Sequence, residues 1–109
     1  MTETIERIRQ LNDAFRRTFS GGTVLLTQGI FALPEDVQGE VVEAILRFDA
    51  FTEDNDPRGE HDFGALTIAG SCIFWKIDYY DPSMRWGSED PADPARTARV
   101  LTILLAEEY

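Results

Sequence analysis

The sequence has little of what most redox and metal chemistry draws on: Cys72 is its one cysteine and His61 its one histidine. A single thiol permits no intrachain disulfide, which fits a reducing compartment such as the cytoplasm. A single imidazole excludes multi-histidine metal sites and paired-histidine catalysis. Basic residues are also few: 10 Lys and Arg stand against 20 Asp and Glu, a formal net charge of −10. Proteins that grip a phosphate backbone pair Lys and Arg with phosphates, so this balance argues against a nucleic-acid binder. It also repels anionic membranes at long range. No apolar run approaches the roughly 18 residues of a membrane span. The charged opening segment, residues 1–10, has no apolar centre of a signal peptide.

Motifs are missing too. There is no P-loop and no G-x-G-x-x-G, so nothing supports nucleotide binding, and no cofactor is implied. None of Ser20, Ser71, Ser83 and Ser88 stands on the sharp strand-to-helix turn that a hydrolase nucleophile needs. Cys72 lies in an apolar strand without a basic neighbour to lower its pKa, so it reads as a small core or face residue rather than a nucleophile. With neither repeats nor low-complexity stretches, residues 1–109 read as a single domain.

What is present suffices for a core: hydrophobic residues are 43% and aromatics 11% of the chain. Residues 3–19 have the period of an amphipathic helix. Ile5, Ile8, Leu11, Phe15 and Phe19 form its apolar stripe, with Glu3, Glu6, Arg7 and Arg16 on the other face. Thr23–Thr27 is β-branched and apolar, a strand. Pro34, Glu35 and Asp36 start a second helix over about 34–48, buried through Val37, Val41, Ala44, Ile45 and Phe48. Residues 49–62 form an acidic loop. Gly64–Ile68 and Cys72–Tyr80 read as a hairpin turning on Gly70-Ser71. That turn sets Leu66 opposite Trp75, Gly64 opposite Ile77 and Phe63 opposite Asp78. Asp93 followed by Pro94 is a helix start, and Thr97, Val100, Leu101, Leu104 and Leu105 give a third helix its stripe. The expectation is an α+β fold in the order α-β-α-β-β-α. It has a three-stranded, mainly antiparallel sheet with three helices on one face.

Three segments together carry a resemblance: Glu60-His61-Asp62-Phe63-Gly64, Trp75 through Asp81, and Asp90 through Asp93-Pro94 with the tract that runs on to Tyr109. The chain resembles a small bacterial domain-of-unknown-function family labelled by its HDFG motif. The resemblance implies a free-standing bacterial domain of about this length and no assigned activity.

The expected hairpin sets His61 opposite Tyr80 and diagonal to Asp78. A carboxylate beside an imidazole can orient it as a general base. His61, Asp78 and Tyr80, with Lys76 nearby, are therefore the candidate catalytic cluster. The structural reading of His61 is a tether holding the acidic loop to the sheet. Asp54, Asp56, Glu60 and Asp62 are the candidate carboxylates for a hard cation. A calcium-loop match fails, because Arg58 takes a ligand position and Ala65 takes the twelfth. Phe74, Tyr80 and Trp86 are the aromatics left over if helices cover one face, and with Asp54, Asp56 and Glu60 they form the candidate binding set.

Three functions compete. The first is a non-enzymatic protein-binding module for a basic partner, with an inhibitor or nucleic-acid-charge mimic as one variant. The second is a metal-assisted hydrolase using His61, Asp78 and Tyr80. The third is a homodimeric structural or regulatory protein, formed by self-association through the aromatic face. The shortage of paired catalytic groups favours the readings without chemistry.

Overall fold

The computed structural model describes residues 2–109. Helix α1 spans Thr2–Thr18, strand β1 Thr23–Leu26, a one-turn helix α2 Gln28–Phe31 and helix α3 Glu35–Leu46. Strands β2 (Phe63–Ile68), β3 (Ser71–Tyr80) and β4 (Ala98–Leu105) follow. The four strands form one mixed sheet in the order β1-β4-β3-β2. β1 runs parallel to β4, while β4–β3 and β3–β2 are antiparallel.

The α+β class holds, with three α-helices among the described residues, but two expectations change. The sheet has four strands rather than three, and the expected third helix is β4. Asp93 does cap a helical start, accepting from the Ala95 N–H at 2.9 Å. That helix lasts only a single 3₁₀ turn, Pro94–Arg96. The apolar run that follows becomes a central strand, paired with β1 on one edge and β3 on the other. A strand buried on both faces reads as a continuous hydrophobic run, which period alone does not separate from a buried helix. The third α-helix is instead the short α2, whose Ile30 is buried.

The hairpin turns one residue earlier than expected, on Ala69 and Gly70, both with positive φ (50° and 81°). Two positive φ angles in a two-residue loop match the right-handed twist of the strands. The register becomes Leu66↔Ile73, Gly64↔Trp75 and Phe63↔Lys76. Each partner moves two positions along β3, so every side chain keeps its face and changes its neighbour. Gly64 now sits under Trp75: a Cβ there would lie 2.6 Å from the indole Cε2 and 2.8 Å from Phe48 Cζ. No residue but glycine fits beneath that ring without displacing it.

The core lies on one face of the sheet. Ile73, Trp75, Ile77, Leu101 and Ile103 meet Phe15 of α1, Ile30 of α2 and Val41 and Ile45 of α3. Burying side chains of this size contributes about 1.5–3 kcal/mol each. The cluster draws on all three helices and on this face alone. The other face carries Phe63, Ala65 and Thr67 from β2, Phe74, Lys76, Asp78 and Tyr80 from β3, and Val100, Thr102 and Leu104 from β4. The segment after β3 is irregular, joined to the sheet by one bridge, Tyr80↔Gly87.

One face of α1 differs from its sequence pattern. Ile5 is exposed, while Asn12 and Arg16 are fully buried with Ile8 and Phe15. The inward stripe is thus Ile8, Asn12, Phe15 and Arg16, still at helical spacing but half polar. Charge type placed Arg16 outside; its position on the helix places it inside.

Candidate functional site

The buried polar residues of α1 organise the inner face. The Arg16 guanidinium donates to Asp13 Oδ1 and to the Phe48 carbonyl, both at 2.9 Å. It also lies over the rings of Phe51 and Trp75, 5.2 and 5.3 Å from their centroids. Asp13 Oδ1 in turn meets His61 Nδ1 at 2.8 Å. His61 has φ 56°, a left-handed conformation that turns its ring away from the path of β2. The ring stacks on Phe51, and its Nε2 lies 3.5 Å from Asp56 Oδ2.

A second network adjoins it. Arg99 Nε donates to Asn12 Oδ1 at 2.8 Å. Asn12 Nδ2 donates to the Tyr79 hydroxyl and to the Glu60 carbonyl at 2.8 and 3.0 Å. The Tyr79 hydroxyl donates to Glu60 Oε1 at 2.7 Å. Burial and the Glu60 carboxylate push the Tyr79 phenol well above its ordinary value, so it stays a donor. Burial pulls the Arg99 guanidinium down. These bonds join α1, the end of the acidic loop, β3 and β4, and nearly every polar atom in them has a partner. A satisfied network of this kind rigidifies a core.

The expected catalytic cluster does not assemble. Pairing starts at Phe63↔Lys76, so His61 never stands opposite Tyr80. Its imidazole faces Asp13 of α1, whereas Asp78 and Tyr80 alternate with the buried residues of β3 and point to the opposite face. His61 does tether the acidic loop, through Asp56, but it tethers it to α1 rather than to the sheet. The left-handed turn at His61, which swings the ring to Asp13 on the inner side, removes the hydrolase constellation.

The candidate carboxylates do not converge on one point, although Asp56 and Asp62 line one groove. Asp54 is exposed; Asp56 turns to His61; Glu60 turns to Tyr79; Asp62 faces a groove. Among the described residues no group of three or more His, Cys, Asp or Glu side chains comes together as a metal site would require.

The other face of the sheet offers a surface. Phe63, Phe74 and Tyr109 pack edge-to-face, with centroids 5.1 Å apart for Phe63–Phe74 and 5.7 Å for Phe74–Tyr109. Tyr109 is nevertheless 77% exposed, and Trp86, beyond β3, is 71% exposed. Tyr80 is half-buried, and Cys72 is exposed on the same face. Lys76 and Asp78, two residues apart and so on one side of β3, pair at 3.0 Å. That bond holds the Lys76 ammonium above its ordinary range.

Beside the aromatics lies a groove of about 360 Å³, lined by Asn55, Asp56, Pro57 and Arg58 of the loop, Asp62 and Phe63, and Lys76, Ile77, Asp78 and Tyr109. Burial raises the Asp62 carboxyl, and the nearby Glu60 and Asp56 raise it further. A cation in the groove would offset that burial and repulsion. Glu108 sets the position of Tyr109. Its carboxylate accepts from Thr27 Oγ1 at 2.6 Å, the Leu105 N–H at 2.8 Å and the Gly29 N–H at 3.1 Å. Those bonds hold its carboxyl below the usual range.

Sequence reasoning missed Asn12, Asp13, Arg16 and Arg99 as an inward network. The available signal was helical spacing, since Asn12 and Arg16 fall four and eight residues after Ile8.

Fold and surface define an α+β domain with helices on one side of a mixed sheet and an aromatic, acid-edged surface on the other. The chain belongs to the family described as protein of unknown function (DUF3768), whose pattern matches residues 26–108. No curated protein and no solved structure matches it.

Proposed function

We propose that this chain is a protein-binding module whose open sheet face takes a partner with a basic surface. One observation carries the reading: all three helices serve a single face, leaving Phe63, Phe74 and Tyr109 beside a groove edged by Asp62 and Asp78. Aromatics in a shallow, partly desolvated setting are the usual anchors of an interface. The net charge of −10 favours a cationic partner and speeds its approach. The same charge sets two copies of this chain against each other, so a basic partner fits better than self-association.

The test is co-purification from the native cell at low and high salt, with the wild-type chain and a Phe74→Ser/Tyr109→Ser variant. The expected result is a basic protein, released by salt and lost with the variant. Capture that ignores both salt and the two substitutions rejects the reading.

A further inference from the structure

β2 is the last strand of the sheet, and its far edge is open. The Ile77 N–H donates to the Asp62 carbonyl at 2.8 Å, which makes Asp62↔Ile77 a hydrogen-bonded pair. Antiparallel pairs alternate, so Gly64↔Trp75, Leu66↔Ile73 and Ile68↔Ser71 are the bonded pairs of the ladder. Phe63, Ala65 and Thr67 therefore turn both their N–H and C=O groups outward. Among the described residues, no backbone or side-chain group outside the sheet bonds to any of them. The strand also lacks the usual protection of an edge: Phe63–Ile68 contains no charge and no proline, and its register runs without a bulge.

We propose that β2 is the docking edge for the basic partner, which adds an extended segment to the sheet as a fifth strand. The inference rests on the protein-binding reading above and names how the partner is held. Main-chain bonds to Phe63, Ala65 and Thr67 supply the affinity, and side chains of the added strand supply the selection. Ala65 and Thr67 are exposed, so the incoming strand meets small neighbours. Charge sets its orientation: the groove at the Phe63 end carries Asp56, Asp62 and Asp78 against Arg58 and Lys76, while the turn at Ala69 and Gly70 carries none. The partner carries Arg or Lys at the end of its strand that lies beside Asp62. β1 is the poorer edge, because it offers only four residues.

The test uses the full chain and a synthetic peptide of about ten residues, alternating valine and threonine and ending in arginines. A control peptide ends in glutamates. Amide exchange by NMR is read with and without each peptide. The arginine peptide should bind at low salt and slow exchange at Phe63, Ala65 and Thr67 by about tenfold or more, leaving Gly64 and Leu66 nearly unchanged. Ala65→Pro removes an outward N–H without touching the β3 ladder, which an edge strand tolerates. It should weaken the peptide by about tenfold or more. If that variant does not fold, the wild-type exchange pattern decides alone. Salt-sensitive binding that leaves the three amides unprotected, with Ala65→Pro binding as wild type, overturns strand addition and spares the protein-binding reading. No binding of the arginine peptide at low salt overturns both. Protection of the three amides that grows with protein concentration alone makes a second copy the occupant and overturns the basic partner.

Discussion

The imidazole of His61 lies flat on the ring of Phe51, with centroids 3.7 Å apart and planes 4° from parallel. On its edges it meets Asp13 and Asp56. The left-handed backbone at His61 would cost on the order of 1 kcal/mol in isolation. It persists because Phe51, Asp13 and Asp56 hold the ring from three sides. The arrangement ends the acidic loop and aims β2 into the sheet. Replacing His61 or Phe51 by alanine should destabilise the chain by about 1–3 kcal/mol in urea. The double variant should show a coupling of about 0.5–1.5 kcal/mol. Additive single effects contradict the stacking.

Two glycines should respond in opposite directions to the same substitution. Gly64→Ala drives a methyl into the indole of Trp75 and should cost about 1–3 kcal/mol, read as a lower thermal midpoint. Gly39 lies inside α3 with nothing within 4 Å of its missing Cβ. Gly39→Ala should therefore gain about 0.5–1 kcal/mol.

The Tyr79 hydroxyl gives a sign-definite alkaline prediction. Its folded pKa is raised above the ordinary 10.0, chiefly by burial. Its contribution to stability is complete below about pH 10 and falls as pH rises beyond, because only the unfolded chain then releases the proton. Tyr79→Phe should show a shallower loss of stability above pH 10. At neutral pH it should lose about 1–2 kcal/mol, since Asn12 and Glu60 each lose a partner. An unchanged alkaline slope contradicts the assignment.

Glu108 behaves in the opposite sense. Its carboxyl is depressed below the ordinary 4.5, first by the Thr27 hydroxyl and then by the Leu105 and Gly29 N–H groups. Its contribution is present above the unfolded value and is lost as pH falls through the folded one. Exchange at the Gly29 and Leu105 amides should therefore accelerate below about pH 4.5, beyond the intrinsic trend. Glu108→Gln should show the fast rates already at neutral pH. Persistent protection in that variant contradicts the role given to the carboxylate.

Asp62 is held against its own charge. Its pKa is raised, so it favours folding below the unfolded value near 3.8 and disfavours it as pH rises through the folded one. Asp62→Asn should make the chain slightly more stable at neutral pH, by less than about 1 kcal/mol given solvent screening. The same substitution should weaken the arginine peptide. Greater stability with undiminished binding detaches Asp62 from the proposed surface.

Much of the fold is legible in residue order. α1, β1, α3 and the β2–β3 hairpin carry local signals: a helical stripe, a β-branched run, Pro34 followed by two acids, and alternation broken by glycine. β4 is not legible in that way. Val100, Leu101, Leu104 and Leu105 repeat at helical steps, yet Ala98–Leu105 is also a mostly apolar, strand-length run, broken by Arg99 and Thr102. The decision belongs to its neighbours, Val24 paired with Leu101 and Trp75 paired with Ile103. The turn falls one residue before Gly70-Ser71 because Ala69 takes a positive φ that the sequence does not advertise. That single residue moved every pairing by two. It left the aromatic face intact, and the left-handed turn at His61, which carries the imidazole to Asp13, dissolved the catalytic cluster.

By itself the sequence determined the quantities that depend on composition and local period. These are the charge of −10, the lone thiol and imidazole, the two long helices and the hairpin. Only the tertiary structure decided that the run Ala98–Leu105 is a strand, that polar Asn12 and Arg16 are buried where helical spacing from Ile8 sets them, and that the outer edge of β2 is left without a neighbour. The physical reason is common to all three. Each depends on which distant segment supplies the missing hydrogen bonds or buries the side chain, and that information lies in no window of the chain shorter than the whole sheet.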